Sequence, residues 1–239
     1  MPAQALALAL SLTVFAASDL TPALRRLIPE FEQATHSKVT LVPGSTGTLS
    51  QQIRNGAPAD VFFAANEASV DGLSKDGLVR APTRTVYARG RLVLIALSSI
   101  GRKGATLKDL ASPAIRRIAI ANPAHAPYGL AAQQALQAAG LWDAIRPKLV
   151  YGENVQQAVQ FVESGSAEAG LVARSLAGRP NLIFTEVDPS LYAPLNQTAV
   201  VLARSKQPAL AASFLDFVKG ARGRASLRAF GFLVPGEDF

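Results

Sequence analysis

Hydroxyls and backbone amides at the starts of helices are the chemistry that this sequence concentrates. Four segments read as strand-to-helix corners. The first is Ala16-Ala17-Ser18-Asp19-Leu20-Thr21-Pro22, where Thr21 is the expected N-cap and Pro22 suits the first helical position, leaving Ser18 in the loop at a strand's carboxyl end. The second is Pro43-Gly44-Ser45-Thr46-Gly47-Thr48-Leu49-Ser50-Gln51, with Thr48 and Gln51 at capping-box spacing, two glycines that allow close backbone approach, and the hydroxyls of Ser45 and Thr46 just ahead of the helix. The third is Asn122-Pro123-Ala124-His125-Ala126-Pro127-Tyr128-Gly129. The fourth is Tyr151-Gly152-Glu153-Asn154-Val155-Gln156-Gln157, where Asn154 and Gln157 again have capping-box spacing and the Val155 amide is left unpaired. Each corner offers free N–H groups carrying a partial positive charge, the ordinary recipe for holding an anion.

Catalytic patterns are missing. The Gly44–Thr48 segment lacks the G-x-x-x-x-G-K-[ST] pattern, and no G-x-G-x-x-G follows an apolar run, which argues against nucleotide cofactors. There is no G-x-S-x-G elbow. The two histidines are far apart: His36 reads as a surface residue at a helix end, and His125 as a loop-orienting residue in the third corner. With no cysteine in the chain, a thiolate metal site, a disulfide framework and a cysteine nucleophile are all excluded, and a zinc site is not expected. Asp60 with Glu67, and Asp143 with Glu153, carry no mark of acid–base work.

The 239 residues are 49% hydrophobic and only 17% charged, enough apolar content for a sizeable core and too much for disorder. Apolar runs recur at Leu12–Ala17, Val39–Val42, Val61–Ala65, Leu92–Leu97, Ile118–Ala121, Gly170–Ala173, Leu182–Phe184 and Ala199–Leu202. Being continuous rather than alternating, they predict strands buried on both faces of mainly parallel sheets. Between them Leu20, Ala23, Leu24, Leu27, Ile28 and Phe31, and likewise Val155, Ala158, Val159 and Val162, keep helical spacing. The fold class is therefore α/β. Two irregular segments, Arg80–Arg91 and Ser190–Gln197, flank a middle block, which predicts a discontinuous first lobe of residues 1–86 and 197–239 around a second lobe of 87–196. Pro208–Lys219 and Ala221–Phe230 are expected to be helices that pack back on the first lobe.

The net charge of +7 invites a nucleic-acid reading, but the basic groupings Arg25-Arg26, Arg102-Lys103, Arg116-Arg117 and Lys219 to Arg228 are not interleaved with stacking aromatics. A basic surface still raises the encounter rate with a small anion. The most apolar stretch, Ala5–Ala17, is too short to span a bilayer. Pro2–Ala7 reads like the small-residue end of a secretory signal peptide, so an exported protein is expected.

On these residues the chain resembles the molybdate- and tungstate-binding periplasmic proteins of ABC importers, which have the type II periplasmic-binding fold with two lobes and an interlobe ligand cleft. The resemblance covers residues 11–234. It rests on Thr13-Val14-Phe15-Ala16-Ala17-Ser18, Gly44-Ser45-Thr46-Gly47-Thr48-Leu49, Gly56-Ala57-Pro58-Ala59-Asp60-Val61-Phe62, Asn122 to Gly129, Val155 to Glu163 and Phe230-Gly231-Phe232. It implies an oxyanion held without a cationic side chain, by the hydroxyls of Ser18 and Thr46, with Ser45 beside them, and the amides of Tyr128 and Val155. It implies no catalytic residue, no cofactor, no directly coordinated metal cation, a membrane permease as partner, no nucleic acid, a monomer and a periplasmic location. Two departures stand out. Some members have a tyrosine hydroxyl where this chain has Ala173, followed by Arg174, and Asp19 follows Ser18, where a carboxylate repels a dianion unless it turns to the helix start, as expected here, or is paired or protonated. A sulfate receptor and a transferase on the same fold are the rival readings.

Overall fold

The computed structural model describes residues 10–99 and 104–236. The leader-like Pro2–Ala7 and the Arg102-Lys103 pair lie outside the described residues. Among the described residues ten strands form: β1 (Ser11–Ala17), β2 (Lys38–Gly44), β3 (Val61–Ala64), β4 (Thr85–Gly90), β5 (Leu92–Leu97), β6 (Ile118–Ala121), β7 (Leu149–Gly152), β8 (Ala169–Ala173), β9 (Leu182–Glu186) and β10 (Leu195–Val201). The helices are α1 (Thr21–Thr35), α2 (Thr46–Arg54), α3 (Glu67–Lys75), α4 (Pro127–Ala138), α5 (Trp142–Ile145), α6 (Val155–Glu163), α7 (Pro208–Lys219) and α8 (Ala221–Ala229).

The strands make two five-stranded sheets, ordered β2-β1-β3-β10-β4 and β7-β6-β8-β5-β9. In each, three neighbours run parallel and a single strand, β10 or β5, runs against the rest. Strands β3, β6 and β8 are buried along their whole length, because helices cover both faces, and this is why their sequences read as unbroken apolar runs. The first lobe packs α1, α7 and α8 on one face through Leu24, Leu27, Phe31, Phe214 and Leu227, and α2 and α3 on the other through Leu49, Ile53, Val70 and Leu73. Phe31 meets Phe214 edge-on at 4.9 Å. The second lobe buries Ile95, Ile120, Leu136, Val159 and Leu171 together.

Two elements depart from the sequence reading. Thr85–Gly90, expected to be irregular, is β4, whose apolar residues are interrupted by Arg89, and Leu149–Gly152 is the short edge strand β7, too brief to show a period. Consequently the first sheet holds the chain to Gly90, which pairs with Leu195, rather than ending at 86, and takes it up again at Leu195 rather than 197. The chain thus crosses between lobes at Arg91 and between Glu186 and Leu195. A β-bulge between Gln197 and Thr198 lies just beyond the second crossing, beside a fully buried Gln197.

Candidate functional site

Because β1 and β2 run parallel in one sheet and β6 and β7 in the other, the four corners lie at the carboxyl ends of strands, where open α/β sheets bind ligands. All four reach one small cavity. It is walled by Ala17, Ser18 and Asp19 after β1, Gly44, Ser45 and Thr46 after β2, Ala126, Pro127 and Tyr128 after β6, and Val155 after β7, with Ala65 behind. Measured to the centres of water-sized spheres the space is ≈ 10 Å³, about one sphere's worth. None of the residues lining it is Lys, Arg or His.

The first lobe contributes hydroxyls. Ser18 opens a 3-10 turn (Ser18–Leu20) that runs into α1, and its Oγ has no hydrogen-bond partner among the described residues although only 3% of the residue is exposed. Thr46 is the first residue of α2 and accepts a hydrogen bond from the Ala65 amide at 3.0 Å, which uses an acceptor lone pair and leaves the hydroxyl proton available. Ser45 is spent differently. Its Oγ caps α2 by accepting from the Thr48 amide, donates to Thr48 Oγ1 at 2.7 Å and lies 2.8 Å from His125 Nδ1. The second lobe contributes amides. Pro127 and Tyr128 open α4, and Val155 opens α6, whose N-cap Asn154 accepts from the amides of Gln156 and Gln157 and passes over Val155. The Tyr128 and Val155 amides are therefore first-turn donors without an intrahelical acceptor. Gly129 lets α4 start this close to β6, since a Cβ there would stand 2.1 Å from the Ala121 carbonyl oxygen.

The lobes touch beside the cavity. The Gly47 amide donates to the His125 carbonyl oxygen at 2.8 Å, and a Cβ on Gly47 would fall 2.7 Å from that oxygen. With the Ser45 contact, this makes His125 a clasp between the second and third corners. Its Nε2 lies 3.9 Å from the exposed Glu153 carboxylate. Behind Ser18, the Ser175 hydroxyl donates to the Asp19 carbonyl oxygen at 2.8 Å.

Asp19 is fully buried, and neither carboxylate oxygen has a hydrogen-bond partner. Burial lifts it to about 7, while the Tyr128 hydroxyl, the amides of Asp19 and Leu20, and Gln197 pull the other way without being aligned for a hydrogen bond. Burial and then the Asp19 charge raise the Tyr128 and Tyr87 phenols well above their usual range. The Tyr128 hydroxyl reaches β10, where it accepts from Gln197 at 3.5 Å.

Several expectations are corrected at this level. The N-cap of α1 is Leu20 and not Thr21, whose Oγ1 is buried without a partner, because the preceding 3-10 turn runs straight into the helix. The cap of α2 is Ser45 rather than Thr48, since the helix begins one turn earlier. Gln157 reaches back to the Glu153 amide instead of the Asn154 amide. Asp19 turns to the helix start as expected, but burial outweighs the dipole there and raises its carboxyl to about 7. It is buried beneath Tyr128, and of the helix start only the amides of Asp19 and Leu20 act on its carboxyl. Ala173 is buried at the end of β8, and Arg174 turns outward to stack on Phe184 at 4.0 Å and pair with Glu186, so nothing at this position replaces the missing hydroxyl. Asp60 and Glu67, in which the sequence shows no mark of acid–base work, are engaged in structure: Asp60 accepts from the Thr13 amide and the Ser205 hydroxyl, and Glu67 pairs with Arg84. No cluster of His, Asp and Glu among the described residues could hold a metal ion. The clasp is what sequence reasoning missed; His125 and Ser45 are 80 positions apart, and no local signal joins them.

A two-lobed α/β receptor with neutral donors converging between its lobes is the class that this fold and cavity define. Residues 12–233 match the family of bacterial extracellular solute-binding proteins, and the chain belongs to that family. It is 37% identical over 225 residues to the molybdate-binding protein ModA of Azotobacter vinelandii, covering 92% of this chain and 88% of that one. It is 28% identical to ModA of Escherichia coli over 93% of this chain and 89% of that one. The solved structure of the Azotobacter vinelandii periplasmic molybdate-binding protein superposes with a TM-score of 0.88 at 33% identity, over 94% of this chain and 99% of that chain. The sulfate-binding protein SubI of Mycobacterium tuberculosis shares the fold at a TM-score of 0.78 and 18% identity, over 95% of this chain and 88% of that chain.

Proposed function

We propose that this protein is an extracytoplasmic receptor that binds a tetrahedral oxyanion, molybdate or tungstate, between its lobes and delivers it to the membrane permease of an ABC importer. The observation that carries the reading is the convergence of donors from both lobes, Ser18 and Thr46 on one side and the Tyr128 and Val155 amides on the other, on one cavity without a cationic side chain. Fixed dipoles replace the hydration of a dianion and need no titrating cation, and enclosure between lobes strengthens each of them. The name of the Azotobacter vinelandii relative supports molybdate over sulfate. The relatives from Azotobacter vinelandii and Escherichia coli are named as binding proteins, which supports binding rather than turnover. We take the receptor to act as a monomer in the periplasm, consistent with described residues that include no helix long and apolar enough to cross a membrane.

Thermal unfolding with molybdate, tungstate, sulfate, phosphate and chromate at fixed ionic strength tests this. A true ligand at 100 times its dissociation constant adds about 2.7 kcal/mol of stability. Stabilisation by molybdate and tungstate well above that by sulfate supports the reading; no shift with any of the five refutes it.

A further inference from the structure

We propose that Asp19 is a proton-linked specificity residue of the anion site: the anion-bound protein carries Asp19 as the neutral acid, so that capture of the oxyanion takes up a proton. The inference rests on the receptor reading above and adds a chemical condition to it. Asp19 lines the same cavity as Ser18, is fully buried, and leaves both carboxylate oxygens without a hydrogen-bond partner. The groups that face it are Tyr128 from α4, Tyr87 from β4 and Gln197 from β10, together with the amides of its own turn. The only titratable groups among these are the two phenols, both shifted further from ionisation, and no Lys, Arg or His pairs with Asp19 among the described residues. An ionised Asp19 next to the cavity would therefore place negative charge near a dianion in buried surroundings with no countercharge, whereas the neutral acid removes that repulsion. A fully deprotonated oxyanion such as molybdate offers only acceptors, so a cavity whose one acid is neutral is matched to it.

The sign of the linkage follows. The buried surroundings alone hold Asp19 at about 7, and the charge of a bound dianion lifts it further. Above that pH the free protein has an ionised Asp19 and the complex a neutral one, so the complex binds the extra proton and affinity falls as pH rises, by up to about tenfold per pH unit.

Titration calorimetry of the whole chain with sodium molybdate, at about pH 6.5, 7.5 and 8.5 and in buffers of differing ionisation heat, reads both quantities. The expected result is proton uptake that approaches one per anion at the highest pH, with affinity dropping on the order of tenfold from the middle to the highest pH. Asp19→Asn, which keeps the shape and cannot ionise, is expected to abolish both the uptake and the pH dependence while holding its affinity at the highest pH. Equal wild-type affinity across the range with no proton uptake overturns the proposal alone, as does an Asp19→Asn protein that retains the wild-type pH dependence. An absence of binding heat at every pH, for molybdate and for the other oxyanions, overturns the receptor reading and this proposal with it.

Discussion

The two lobes bring similar corners to the cavity and use them differently. In the first lobe the proposed donors are side chains, the Ser18 and Thr46 hydroxyls, and the neighbouring Ser45 is committed to capping α2 and to His125. In the second lobe the proposed donors are main-chain amides at Tyr128 and Val155, while the side chains there are buried, that of Tyr128 reaching Gln197 of β10. A hydroxyl can rotate to follow a ligand, whereas a helix amide is aimed once by the fold. The first lobe thus tolerates adjustment in its donors and the second tolerates substitution of its side chains. Mutagenesis can separate the two.

The largest effect is expected where the lobes meet. Gly47→Ala places a Cβ 2.7 Å from the His125 carbonyl oxygen, backbone against backbone, and the lobes must stand apart to admit it. Anion affinity is expected to fall on the order of a hundredfold, since parted lobes lose a donor to the anion worth roughly 1.5–3 kcal/mol. The clash also strains the Gly47–His125 hydrogen bond, so the anion-free protein is expected to be no more stable than wild type. Calorimetry and thermal unfolding together read both, and wild-type affinity in this variant would show that the Gly47–His125 approach is not required for binding.

Next come the donors themselves, each expected to be worth about tenfold to a hundredfold in affinity, from roughly 1.5–3 kcal/mol for a hydrogen bond to a charged group. Val155→Pro is the sharp test for the second lobe. Val155 is the first residue of α6 and Asn154 before it is extended, so proline is accommodated there while the amide donor is lost. Val155→Ala keeps the amide and is expected to hold affinity while losing about 1.5 kcal/mol of stability through two buried methyl groups. For the first lobe, Thr46→Ala and Ser18→Ala are expected to weaken binding by the same tenfold to hundredfold, and Thr46→Ser to restore it. Thr46→Ala also strands the Ala65 amide, so its stability is expected to fall, whereas Ser18→Ala strands nothing.

The smallest effect belongs to the clasp. His125→Ala removes one neutral interlobe hydrogen bond, worth about 0.5–1.5 kcal/mol, and is expected to weaken binding about twofold to tenfold through a faster off-rate. Ser45→Ala removes the same bond and the α2 cap, so it is expected to cost about 1 kcal/mol of stability in addition. Because the two side chains share one contact, their effects on affinity are expected not to add in the double variant. Stopped-flow rates that show the change in the on-rate, or full additivity, would dissolve the clasp.

How much of this was legible in the sequence depends on the range of the interaction. Strands β1, β3, β6 and β8 were readable because burial on both faces leaves an unbroken apolar run, and the buried stripe of α6 because Val155, Ala158, Val159 and Val162 repeat at the helical period. β4 was not, because Arg89 and Gly90 break its run and its partner β10 lies more than a hundred positions away. The corners could be located from Pro127, Asn154 and the Gly44–Thr48 cluster, whose preferences are local, although which residue caps α2 was set by one turn of packing.

What the sequence by itself determined is therefore the α/β class, the approximate places of four helix starts and the hydroxyls and amides found there, since each follows from residues within a few positions of one another. Only the tertiary structure decided that all four starts reach one cavity, that Ser45 and Gly47 engage His125 across the lobes, and that Asp19 is buried with no partner for its carboxylate. The physical reason is that burial and hydrogen bonding depend on what the chain brings alongside. Asp19 next to Ser18 reads as an acid turned to a helix start until Tyr128, Tyr87 and Gln197, from three distant elements, close over it and burial raises its pKa to about 7.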